Sequence, residues 1–100
     1  MRKAIAYVTR QGPAGIRELL VFEHRDYPEA GTEVPAGTVD ERHVFHLAAP
    51  SNTAERWAWV ETDGGKAFEL KGYVFQFRWV RLDTLIELAG DQGDYLHLIR

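Results

Sequence analysis

The sequence has no cysteine, which excludes a disulfide scaffold, a cysteine-based zinc site and a cysteine nucleophile. Its one serine, Ser51, lies in a polar loop and not in a GxSxG elbow. Neither GxGxxG nor GKS/GKT occurs, so no phosphate-cradling loop of those types is present. No run approaches the ~20 apolar residues of a membrane-spanning helix. Met1-Arg2-Lys3-Ala4-Ile5 turns amphipathic at once, without an apolar h-region. The expectation is therefore no signal peptide, no membrane and a cytoplasmic address. Basic charge is sparse and scattered: 12 Lys and Arg stand among 15 Asp and Glu, for a net charge of −3, and the longest basic cluster is Arg2-Lys3. That dispersal argues against a nucleic-acid partner, which needs a concentrated basic surface to neutralise phosphates.

What is present fits one globular domain over residues 1–100. With 45% hydrophobic and 27% charged residues, a chain this size buries roughly 60–70% of its unfolded surface, enough for one core and no second domain. Hydrophobic patterning reads as strands first and helix last. Residues 3–9 are apolar on both faces, as in a strand covered from two sides. Gln11-Gly12-Pro13-Ala14-Gly15 is a turn, and residues 17–24 form the returning arm of a hairpin. After Tyr27-Pro28-Glu29-Ala30-Gly31, a short extended piece at 32–34 leads into Pro35-Ala36-Gly37.

Further strands are expected at 42–48, 55–61 and 72–81. In the last of these, Tyr73, Phe75, Phe77 and Trp79 share one face by the period of 2; such a stripe reads as core rather than as a base-stacking platform. A helix is expected next, with Thr84 and Glu87 as a capping box, Leu82, Leu85, Leu88 and Ala89 as its apolar stripe, and Gly90 as its stop. Residues 94–99 read as a last helical segment. The resulting class is α+β: a strand-dominated mixed sheet with a C-terminal helix.

Candidate chemistry is thin. His43 and His46, three apart on a strand, point to opposite faces and cannot readily share a metal; His24 and His97 have no motif around them. The acids Glu29, Glu33, Asp40 and Glu41 flank a Gly-rich turn, whereas the pairs Glu61/Asp63 and Asp91/Asp94 are too sparse to form a motif. Trp57 and Trp59 share a face, with at least one expected to pack inside.

Recognition comes from one segment. Leu19-Leu20-Val21-Phe22-Glu23-His24-Arg25, followed by Gly31-Thr32-Glu33-Val34-Pro35-Ala36-Gly37-Thr38-Val39-Asp40, resembles the Nudix hydrolase family. Within it, VPAGTV matches the family's lead-in to its catalytic box. The aromatic strand running into Val80-Arg81-Leu82-Asp83-Thr84-Leu85 resembles the family's last strand and C-terminal helix. The order of elements agrees over nearly the whole chain, although the specific part spans only about seven residues.

What should follow Gly37 is the box Gx5Ex7REUxEExGU, where U is a bulky aliphatic residue. In the family its helix sets several Glu on one face. They hold magnesium, which bridges diphosphate oxygens while water attacks phosphorus. The first box Glu would fall at position 43, where this chain has His43, and no Arg-Glu-x-x-Glu-Glu follows. The box helix is thus deleted, not mutated, and the shortfall lies after Asp40.

By this resemblance the chain is a truncated Nudix-like domain with no catalytic residues and no cofactor. It is expected to be inactive as a nucleoside diphosphate-X hydrolase and to form a homo-oligomer through the sheet face its helix no longer covers. Arg25 and Glu33 become candidate substrate-binding residues for a retained nucleotide ligand. Two alternatives stand beside it. One is a working magnesium-dependent pyrophosphohydrolase with Glu33, Asp40, Glu41 and Glu61 as substitute ligands. The other is a protein-interaction module.

Overall fold

The computed structural model describes residues 2–39, 43–61 and 73–100. Six strands form one mixed sheet: β1 (Arg2–Gln11), β2 (Arg17–His24), β3 (Ala36–Val39), β4 (His43–Ala48), β5 (Arg56–Glu61) and β6 (Tyr73–Arg81). Along the main path the order is β3-β1-β2-β6-β5, all antiparallel, while β4 pairs with β1 in parallel. Among the described residues no helix is long and apolar enough to cross a membrane.

The β1–β2 hairpin closes where the sequence puts its turn, through Gly12 N–H to Ile16 C=O at 2.9 Å. A Cβ on Gly12 would lie 2.7 Å from that same carbonyl oxygen, so only glycine fits this approach. The two strands stay paired only from Thr9↔Leu19 to Gln11↔Arg17 and then part. Gly31, at φ 82°, turns the chain back into the gap, where Glu33 bridges Phe22. Pro35 accepts from Ala6 N–H at 2.8 Å, and β3 runs along the first half of β1. The extended piece expected at 32–34 is therefore a single bridge, and the strand proper starts two residues later. Residues 31–39 serve as a wedge that splits the sheet.

The core lies on one sheet face. Tyr7, Leu19, Val21 and Val34 are fully buried there and pack with Ile5, Leu82, Leu96 and Ile99. The cover over these strands comes from the chain after β6. The Tyr7 hydroxyl donates to the Gln92 carbonyl, and Gln92 Oε1 accepts from the buried Val34 N–H at 2.8 Å. Burial, more than any other influence, holds the Tyr7 hydroxyl above its ordinary pKa.

That cover is not the expected C-terminal helix. Residues 84–90 contain no helix, and 94–99 supply only a single 3-10 turn at Leu96–Leu98. Among the described residues the class is accordingly strand-dominated, with short 3-10 turns in place of the expected C-terminal helix. Three causes are visible. Thr84 Oγ1 reaches back to the Arg81 carbonyl at 2.6 Å, closing a turn instead of capping a helix. Leu85, placed on the predicted stripe, is 86% exposed, while Ile86 and Leu88 pack on the core two residues apart, an extended spacing. Ala89 N–H is bound to the Thr32 carbonyl at 2.8 Å. A seven-residue helix would have to overcome its nucleation cost against these tertiary bonds.

Candidate aromatic cleft

The opposite sheet face is built from alternation in three strands. Register sets Leu20, Phe22 and His24 of β2 against Trp79, Phe77 and Phe75 of β6, and Trp57 and Trp59 of β5 against Phe77 and Phe75. Every second residue is aromatic or aliphatic, so their side chains form a continuous apolar sheet surface. The reading of Tyr73, Phe75, Phe77 and Trp79 as core holds for Trp79 and is corrected for the other three. They do share a face, but it is the one that the chain after β6 leaves open. Trp59 is 57% exposed and Tyr73 38%, whereas Trp79 is buried.

Trp79 is covered by a cation. Arg10 Cζ sits 4.5 Å above its ring, and the Arg10 side chain, 2% exposed, bonds Glu18 and Glu55 at 2.9 Å each and donates to the Thr53 carbonyl. Burial alone would lower its pKa, yet the two carboxylate bonds together raise it. Trp79 Nε1–H donates to the Ala54 carbonyl at 2.9 Å. From Trp79 the rings continue through Trp57, stacked on Phe77 at 5.2 Å and 9°, to Phe22, 5.1 Å from Phe77 and 4.9 Å from Phe75.

Beyond this point the rings border an open cleft of about 560 Å³ lined by Phe22, Pro35, Ala36, Trp57, Trp59, Phe75 and Phe77. Pro35 and Ala36 come from the wedge. At the end past Phe75, His24 meets that ring edge-on at 4.6 Å and packs near Tyr27 and Tyr73. His24 Nε2 lies 3.0 Å from Glu33 Oε2, an ion pair when the imidazole is protonated. The approach is off the hydrogen-bond direction. Glu33 Oε2 and His24 Nδ1 are buried without a hydrogen-bond partner among the described residues.

The sequence candidates separate. Glu33 is placed beside the cleft, on the Phe22 face. Arg25, after the end of β2, is exposed and forks onto its neighbour Asp26 with two bonds of 3.1 Å. No hydrogen bond or ion pair joins Arg25 to Glu33. Asp40 and Glu41 lie outside the described residues, as does Asp63; Glu61 closes β5. Glu29 is exposed in the turn at Pro28–Ala30. Among the described residues no three metal-ligating side chains converge. His43 and His46 do fall on opposite faces: His46 Nε2 lies 2.8 Å from Thr9 Oγ1, whereas His43 stacks on Phe45.

Sequence reasoning missed the His24–Glu33 pair and the Phe22 floor of the cleft. Their meeting depends on the wedge, because only the Phe22↔Glu33 bridge brings residue 33 next to β2. The Trp57/Trp59 and Phe75/Phe77 alternations were visible, and they carry most of the lining.

No known family, characterised protein or solved structure matches the chain.

Proposed function

We propose that this is a Nudix-like domain that binds rather than hydrolyses and associates with a second copy of itself through its uncovered strand β4. The observation that carries the reading is the exposure of all six residues of β4, including Val44, Phe45 and Leu47 at 37%, 47% and 53%. β1 occupies one edge of this strand, and no described strand pairs the other. The span His43–Ala48 contains no Lys, Glu, Asp, Arg, Pro or Gly, the devices by which edge strands normally discourage pairing. An unprotected edge offers backbone donors and acceptors that a second β4 matches about a two-fold axis. Apolar groups on both faces of the strand add burial on association.

The binding half of the reading is supported by the open aromatic cleft. The absence of the box sequence after Gly37 supports the lack of hydrolysis. Two measurements test it. Light scattering over a concentration series is expected to show a dimer or larger species, and Phe45→Lys with Leu47→Lys is expected to return it to monomer. A monomer throughout would overturn the association. Purified protein with magnesium is expected to release neither phosphate nor nucleoside monophosphate from dinucleoside polyphosphates, nucleoside triphosphates or sugar nucleotides. Robust turnover lost on changing Glu33, Asp40 or Glu41 to Ala would establish the hydrolase alternative instead.

A further inference from the structure

We propose that the aromatic cleft bounded by Trp57, Trp59, Phe75 and Phe22 is a binding site for a small organic cation with a quaternary ammonium group. It rests on the binding half of the proposed function, whose ligand class it names, and is independent of the proposed self-association, because β4 and the β6–β5 pair lie on opposite sides of β1 and β2 in the sheet order.

Three observations converge. The row of rings already holds a cation at its other end, where the Arg10 guanidinium rests 4.5 Å over Trp79. Trp57 belongs to both ends, since its ring is 6.4 Å from Trp79 and also lines the cleft. The aromatic row that begins under Arg10 therefore continues into the lining of the open space, where a ring face attracts a cation whose hydration is weak enough to shed.

Charge is also sorted between the two faces. By register, Arg56 and Arg78 stand opposite one another on the reverse face, and Arg78 is forked onto Glu23 with bonds of 3.0 and 2.9 Å. Arg10 is engaged with Glu18 and Glu55, and Arg25 with Asp26. Among the described residues a phosphate or carboxylate meets no Lys or Arg in the cleft lining.

Glu33 stands next to the cleft lining: it bridges Phe22 and precedes Pro35 by two residues. Glu33 lies on the cleft side of the wedge, its Oε2 buried without a hydrogen bond, and His24 is its ionic partner only when protonated. With the His24 imidazole neutral, the pair carries a net charge of −1 beside rings that are themselves negative on their faces. A quaternary ammonium suits this setting: its methyl groups pack on the rings, and its charge needs no hydrogen-bond acceptor.

The test is a tryptophan-fluorescence titration of the whole chain at pH 8 and matched ionic strength, with choline, its neutral isostere 3,3-dimethyl-1-butanol, and AMP as probes. Choline is expected to bind about tenfold more tightly than the neutral isostere, the range of a partly desolvated cation–π contact. Trp59→Ala, at an exposed position, is expected to weaken choline at least fivefold. Glu33→Gln is expected to weaken choline about threefold while leaving the isostere unchanged, which separates charge from packing. Equal binding of choline and its isostere would overturn the proposal in favour of a plain apolar cleft. Tighter binding of AMP would overturn it in favour of a nucleotide, and no response to any probe at 100 mM would show that the cleft is not a site. None of these outcomes bears on the oligomeric state, which light scattering reads separately.

Discussion

The two faces of this sheet come from the same strands and differ in almost everything else. On one, Leu19 and Val21 of β2 are sealed under the chain after β6 together with Tyr7 and Val34. On the other, Phe22 of the same strand is the floor of a cleft whose rim, Trp59, stands more than half exposed. Residue size does not explain the difference, since the larger side chains are on the open face. What separates the faces is where the chain goes after β6. Leu82, Leu96 and Ile99 close one side, and on the other, among the described residues, Arg10 and residues 53–55 cover the first ring of the row. A strand face is thus core or binding surface according to the cover it receives, not according to its hydrophobicity.

That contrast can be broken. The largest effect is expected at the covered end of the open face, where Arg10→Ala leaves Glu18 without its buried partner and Trp79 without its lid; about 3–5 kcal/mol should be lost in urea denaturation. Next comes the sealed face. Leu19→Ala should cost about 2–5 kcal/mol, whereas Trp59→Ala should stay within about 0.5 kcal/mol. Equal losses for this pair would mean that the open face is covered in solution.

A smaller effect tests the lid itself. Gln92→Ala strands the buried Val34 N–H, and about 1–3 kcal/mol should disappear from thermal stability. Smallest is a pH effect at the pair between β2 and β6. The hydrogen bonds from Arg78 hold the Glu23 carboxyl below its ordinary value of 4.5, with the Thr32 hydroxyl bond helping. The stability it adds is full above 4.5 and fades as pH falls through the lowered value. Glu23→Gln should therefore narrow the melting-temperature gap between pH 7 and pH 3, and an unchanged gap would show that the pair contributes nothing.

Much of the strand content was legible beforehand. The hairpin turn at Gly12–Gly15, the strands at 17–24, 42–48, 55–61 and 72–81, and the opposed histidines of β4 all follow from period-2 alternation and turn residues. The C-terminal helix failed for a physical reason: its capping and periodicity signals are local, and the bonds from Ala89 to Thr32 and from Thr84 back to Arg81 outweigh them. Half of the candidate site was readable in the same way, through Trp57, Trp59, Phe75 and Phe77. The other half, Phe22 with Glu33 and Pro35 with Ala36, needed the wedge, whose position depends on β1 and β2 parting after Thr9↔Leu19.

Sequence alone therefore determined which side chains share a face, because alternation along a strand is a property of the backbone. It also determined that the box residues expected after Gly37 are absent. Only the tertiary structure decided which face became core and which stayed open, where Glu33 came to rest, and that β4 kept an edge no described strand pairs. Those outcomes depend on long-range contacts, and neither strand period nor local propensity encodes the path of residues 82–99 over the sheet.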